Sequence, residues 1–116
     1  MVKILIADDS RFMRKLLKDI LVKAGYSNII EAKDGNETIE KCKSEDPDLL
    51  FLDILMEGMN GIDVLKKIKV KTIVVSAVGR EKIVKEALSL GAKVFIVKPF
   101  EDKQILKALK KVLQKD

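Results

Sequence analysis

The tightest constraint on this chain is a set of four short apolar runs, each of which stops on a polar residue. Ile4-Leu5-Ile6-Ala7 runs into Asp8-Asp9, Leu49-Leu50-Phe51-Leu52 into Asp53, Ile73-Val74-Val75 into Ser76, and Val94-Phe95-Ile96-Val97 into Lys98-Pro99. Runs of strand length that are apolar at every position read as strands buried on both faces, the habit of parallel sheets. Laid side by side in parallel, they gather three carboxylates, a hydroxyl and an ammonium at one sheet edge. In open α/β sheets that edge is where ligands bind. Asp8, Asp9, Asp53 and Lys98 together carry a formal −2, which a divalent cation cancels.

Strand-like and helix-like stretches alternate five times along the chain, so helices are expected on both faces of one sheet. Ser10 is placed as an N-cap, and Met13, Leu16, Leu17, Ile20, Leu21 and Ala24 mark one helical face that Gly25 stops. A short second strand is expected from about Asn28 to Ala32, followed by a turn at Asp34-Gly35. The second helix is expected over Asn36 to Ser44, before Pro47. The loop after Asp53 holds Gly58 and Gly61, read as sites of tight backbone approach, and a short helix over Ile62 to Ile68 follows. The fourth helix is expected from Arg80 to Leu90, stopped by Gly91. The fifth opens at Glu101-Asp102 and buries Ile105, Leu109 and Val112.

Composition removes whole classes of chemistry. The 116 residues suffice for one domain with a real core, expected to span 1–116 with no output domain in the chain. The absence of histidine excludes Ser-His-Asp catalysis, histidine-ligated zinc and a phosphohistidine carrier. A single cysteine, Cys42, excludes an internal disulfide and reads as a half-buried helix residue with nothing to activate it. No apolar run spans a bilayer, and Lys3 is followed by a strand rather than by a secretory signal, so a cytoplasmic location and no membrane insertion are expected. The net charge of +5 comes from lysines mixed with glutamates through every helix. With few aromatics and no module signature, nucleic acid is not an expected partner. Lys107, Lys110, Lys111 and Lys115 line the polar side of the last helix, a face suited to an acidic partner.

Taken singly, each strand-end residue has an ordinary explanation. Asp8 and Asp9 cap the next helix, Asp53 flanks one, Ser76 is a turn hydroxyl, and Lys98 extends to solvent. These explanations must all hold at once, whereas one site needs a single cause. Hard oxygen ligands in this number suit magnesium, or manganese, which keeps several waters beside its protein carboxylates. An X-Pro bond at Lys98-Pro99 permits a cis peptide that aims the lysine sharply.

The combination resembles the response-regulator receiver domain of two-component signalling, in particular its single-domain, CheY-like chemotaxis type. The resemblance rests on Asp8-Asp9, on Asp53 followed by Met56, Met59 and Gly61, on Ser76-Ala77 and on Lys98-Pro99-Phe100, and covers essentially the whole chain. It implies a flavodoxin-like, doubly wound five-stranded sheet of order 2-1-3-4-5 with five helices, an order for which CheY is itself the standard illustration. It implies that Asp53 accepts a phosphoryl group from a sensor histidine kinase. Magnesium or manganese would be held by Asp9, Asp53 and the Leu55 backbone carbonyl, with Asp8 acting through water. Lys98 and Ser76 would contact phosphoryl oxygens, and Phe95 would rotate inward as Ser76 moves. The output would be a changed surface on the fourth helix, fifth strand and fifth helix, bound by a motor switch or a phosphatase, with the protein monomeric and no enzyme beyond its own phosphoryl chemistry.

Two features depart from that pattern. Glu57 stands where the family has proline, and the connection at Lys69-Val70-Lys71 is short, which implies a truncated or shifted third helix. Leu55 and Val78, which tune phosphoryl lifetime in the family, are apolar here and imply a long-lived phosphorylated state. A degenerate receiver acting only as an interaction surface is kept alive by Glu57. A haloacid-dehalogenase-like phosphatase needs Asp-x-Asp after the first strand and length for a substrate cap, neither of which is present. A flavin-binding module needs backbone donors and hydroxyls where this chain offers Asp8-Asp9.

Overall fold

Five strands, β1 (Ile4–Ala7), β2 (Ile29–Ala32), β3 (Leu49–Leu52), β4 (Thr72–Ser76) and β5 (Ala92–Val97), form one parallel sheet in the order β2-β1-β3-β4-β5. Helices α1 (Arg11–Lys23), α2 (Gly35–Glu45), α3 (Gly61–Lys67), α4 (Glu81–Ser89) and α5 (Asp102–Leu113) connect and cover it. The computed structural model describes residues 1–114. Every position of β1, β3 and β4 is buried, as continuous apolar runs require. Side chains alternate across the sheet. Ile4, Ile6, Leu49, Phe51, Ile73 and Val75 therefore pack with Leu17, Ile20 and Leu21 of α1 and Ile105 and Leu109 of α5. Leu5, Ala7, Leu50, Leu52 and Val74 pack on the other face with Val64 and Leu65 of α3 and Ala87 of α4.

The expected elements are present, with differences at their margins. In α1 only Leu17, Ile20 and Leu21 are buried. Leu16 lies on the flank at 36% exposure, and Ala24 is the exposed residue after the last turn. Asp34-Gly35, read as a turn, instead supplies the N-cap and first residue of α2, the Asp34 side chain accepting from the Glu37 N–H. Helix α3 ends at Lys67 because Ile68 is already extended, and residues 68–71 reach β4 directly. Of the two loop glycines only Gly61 makes the close approach. A Cβ there would run into the Asp53 carbonyl oxygen and lie 2.8 Å from Ile54 Cα, whereas Gly58 has open space and a φ of +79°. In α5, Ile105, Ala108, Leu109 and Val112 are buried. Its Lys107, Lys110 and Lys111 are exposed, and Lys115 lies outside the described residues. Among the described residues no helix is long and apolar enough to cross a membrane.

Candidate functional site

The chain leaves β1 and β3 toward opposite faces of the sheet, and the crevice between their C-terminal ends is the topological switch point. Register aligns those ends, with Ala7 opposite Leu52, and the ladder continues one step past them. The Asp8 N–H donates to the Ala32 carbonyl at 3.1 Å and the Asp53 N–H to the Ala7 carbonyl at 3.0 Å. Both aspartates are thus fixed by backbone before their side chains make any contact. Carboxylate oxygens of Asp8, Asp9 and Asp53 all lie within 4.8 Å of one another.

Lys98 closes the cluster from β5. Its Nζ lies 2.8 Å from Asp8 Oδ2 and 3.2 Å from Asp53 Oδ2, and all three side chains are largely shielded from solvent. The Lys98 N–H donates to the Ser76 carbonyl at 2.9 Å, and the Lys98-Pro99 peptide is cis, as the sequence permitted. The other oxygens are held locally. Asp8 Oδ1 accepts from the Ser10 N–H at 2.9 Å, and Asp53 Oδ1 from the Leu55 N–H at 3.2 Å. Ser10, not an aspartate, caps α1, its Oγ accepting from the Met13 N–H at 3.2 Å. Capping therefore does not account for Asp9, whose side chain is exposed at the rim.

These surroundings set the charge states. Burial pushes the Asp53 carboxyl above its ordinary value; the Lys98 ammonium opposes that push and the neighbouring Asp8 charge adds to it. Burial alone would lower Lys98, but its hydrogen bond to Asp8 and the charges of Asp53 and Asp8 outweigh that and raise it. Lys98 is therefore a firm cation between two acids.

Ser76, Phe95 and Leu55 are placed nearby but are not drawn into the cluster. Ser76 is fully buried at the end of β4, with its Oγ accepting from the Val78 N–H at 3.2 Å. Phe95 pairs with Val74 across β4 and β5, and Val74 and Ser76 point to the same sheet face. Ser76 and the half-buried Phe95 ring thus share that face. The Leu55 side chain is 54% exposed.

Sequence reasoning missed Arg14. Its Nη1 donates to the Asp8 carbonyl at 2.7 Å, and its Nε donates to Glu31 Oε1 on β2 at 3.0 Å. One side chain of α1 thereby anchors the turn that carries Asp8 and Asp9. A signal was available: α1 has no acid in its first turn, where the helix dipole favours one, and carries arginines at its N-terminal end.

The donor set is oxygen only, three carboxylates closely grouped, with one counter-charge already present. That chemistry fits a hard divalent cation such as magnesium. Asp9, Glu57, Gly58, Lys33 and Asp34 line an adjoining cleft of about 390 Å³, so the departure from proline at Glu57 places another carboxylate beside the rim.

Comparison with known proteins converges on one family. The family model for the response regulator receiver domain matches residues 4–110. The chain is 49% identical to the chemotaxis protein CheY of Thermotoga maritima over 115 residues, covering 95% of this chain and 96% of that one. It is 46% identical to the chemotaxis protein CheY of Bacillus subtilis over 116 residues, covering 96% and 97% respectively. Among solved structures, the CheX-CheY-BeF3-Mg2+ complex from Borrelia burgdorferi contains a chain of 38% identity with a TM-score of 0.93, covering 98% of this chain and 90% of that one.

Proposed function

This chain belongs to the response regulator receiver domain family, of CheY type, and we propose that it is a stand-alone chemotaxis switch set by phosphorylation of Asp53. The observation that carries this reading is the Lys98 ammonium lying between Asp8 and Asp53 at the sheet's switch point, with Asp9 at the rim. A sensor histidine kinase is the donor. An Asp53 carboxylate oxygen attacks phosphorus, the phosphorus–nitrogen bond to the donor imidazole breaks, and the imidazole leaves after taking up a proton. Lys98 meets negative charge on the transferring group, and Ser76 donates a hydrogen bond to it. Asp9, Asp53 and the Leu55 carbonyl would hold the cation, with Asp8 acting through water. Magnesium or manganese, when bound, supplies further positive charge at the phosphoryl oxygens and aligns the reactants.

Ser76 and Phe95 read the change, because a shift of the serine opens space on the face they share. The surface of α4, β5 and α5 then gains or loses affinity for a motor switch or a phosphatase, with coupling of about 1–3 kcal/mol as is usual for such switches. Residues 1–116 act as one receiver domain, monomeric and in the cytoplasm, and the chain turns over no substrate besides its own phosphoryl group.

Incubation with a small acyl-phosphate donor and magnesium, followed by intact mass measurement, tests the assignment. Wild type gains one labile phosphoryl group and Asp53→Asn gains none; persistent labelling of the variant overturns it. Glu57 at the rim cleft supports a second reading, a phosphorylation-independent interaction module. A wild-type chain that stays unlabelled while Glu57→Pro becomes labelled is the result that reading expects.

A further inference from the structure

The connection between α3 and β4 spans only residues 68–71, and the phosphoryl chemistry makes no use of it. Residues 68–71 form a low ridge at the N-terminal edge of the sheet, the end opposite Asp53. A groove lies on each side. One, of about 330 Å³, has apolar walls from Leu65, Ile68, Val70 and Leu90 beneath Lys69, Lys71 and Lys93. The other, of about 210 Å³, runs over Ile39, Cys42 and Ile68 beneath Lys43, Lys67 and Lys69.

The charge around the ridge is mostly positive, with Lys43, Lys67, Lys69, Lys71 and Lys93 against Asp46 and Asp48. Lys43 and Lys67 sit in the last turns of α2 and α3, where the helix dipole accounts for them. Lys69, Lys71 and Lys93 are exposed, lie outside any helix, and form no ion pair among the described residues. Of the nearby acids, Glu45 pairs with the Lys3 ammonium at 3.2 Å and Asp48 accepts from the Lys3 N–H at 2.8 Å. Asp46 lines the second groove, and Asp46 and Asp48 line a third cleft, of about 370 Å³, that borders Lys69, Val70 and Lys71.

We propose that this double groove is a docking surface for an acidic protein segment that seats apolar side chains between the lysines. Charge complementarity selects the sign of the partner, and the recessed apolar walls select its kind. Stacking of single-stranded bases would want aromatic platforms or arginine, and neither lines the grooves. A membrane would want protruding apolar side chains, yet none of the large exposed ones (Met1, Phe12, Leu16, Val22, Leu55, Leu88, Val97 and Leu106) lines either groove. The surface faces away from the phosphoryl site, so the proposal holds or falls independently of it.

Fluorescence anisotropy with a labelled glutamate-rich peptide bearing spaced leucines tests this, beside its glutamine counterpart, an anionic oligonucleotide and phosphatidylglycerol vesicles. The protein should bind the glutamate–leucine peptide, more weakly as salt rises. The K69E/K71E/K93E variant should lose at least about tenfold in affinity, while K15E/K18E/K23E, an equal charge change on α1 across the sheet from the grooves, should not. If charge reversal unfolds the chain, K69Q/K71Q/K93Q takes its place. No binding of the peptide, equal loss in both triple variants, or stronger binding of the oligonucleotide or vesicles overturns the proposal.

Discussion

Replacing Arg14 with methionine keeps most of the side chain's bulk but removes the guanidinium that holds the Asp8 carbonyl at 2.7 Å. The turn bearing Asp8 and Asp9 then loses its side-chain tie to α1, while the Asp8 N–H still donates to Ala32 of β2. Magnesium affinity measured by calorimetric titration should fall about 10–100-fold, the usual cost of removing a group behind a metal ligand, with little change in the far-ultraviolet spectrum. Unchanged affinity would show that the turn holds itself. Cys42 offers a second test at this scale. Burial raises its thiol from 9.0 to about 11, so the folded chain keeps a proton that the unfolded chain gives up. Its alkylation at pH 8 should be about a hundredfold slower in the native protein than in denaturant. By the same linkage its contribution to stability is intact below pH 9 and is lost as pH rises toward about 11, a slope that Cys42→Ala should remove. Asp8, Asp9, Asp53 and Lys98 were legible in the sequence because each ends a buried strand. Arg14 was not, since its partners are a backbone carbonyl and a glutamate on a different strand, and only its awkward charge at a helix start gave it away.

Helix and loop boundaries were legible wherever a local hydrogen bond enforces them. Ser10 caps α1 through Met13, and Glu101 with Gln104 forms a capping box at α5. They were less legible where tertiary contact decides, as at Leu16, whose apolar character promised burial but which lies 36% exposed on the flank of α1. The loop carrying Asp53 belongs to the second kind. Gly61 packs its α-carbon against the Asp53 carbonyl and donates its N–H to the Ile54 carbonyl at 2.8 Å. Gly61→Ala should therefore force the loop outward, costing about 1–3 kcal/mol in thermal or denaturant unfolding and lowering phosphoryl uptake together with stability. Gly58→Ala at the same loop meets only the strain of its positive φ, and should leave the acidic cluster in place. An equal loss of phosphorylation in both variants would count against this account of the loop.

Over the whole molecule, alternating strands and helices announce a parallel sheet covered on both faces, but alternation by itself leaves strand order open. The order 2-1-3-4-5 came from resemblance and is what the chain adopts. Bringing Asp8 and Asp53 together has a cost spread over the entire fold. Because burial raises the Asp53 carboxyl, the folded state prefers it protonated, and its ionisation near neutral pH works against folding. Asp53→Asn should unfold at a higher temperature than wild type at pH 7, with the advantage vanishing as acid protonates the native residue. Added magnesium should raise the wild-type melting temperature and narrow the gap. A variant no more stable than wild type at pH 7 would contradict that balance. The ammonium of Lys98 also makes the basin self-supporting. Repulsion between its two acids is opposed from inside the chain, so chelating a bound ion should leave the circular dichroism of the fold unchanged. Recovery of magnesium binding after chelation, followed by stopped flow, should then run at the speed of ion capture rather than of loop rebuilding.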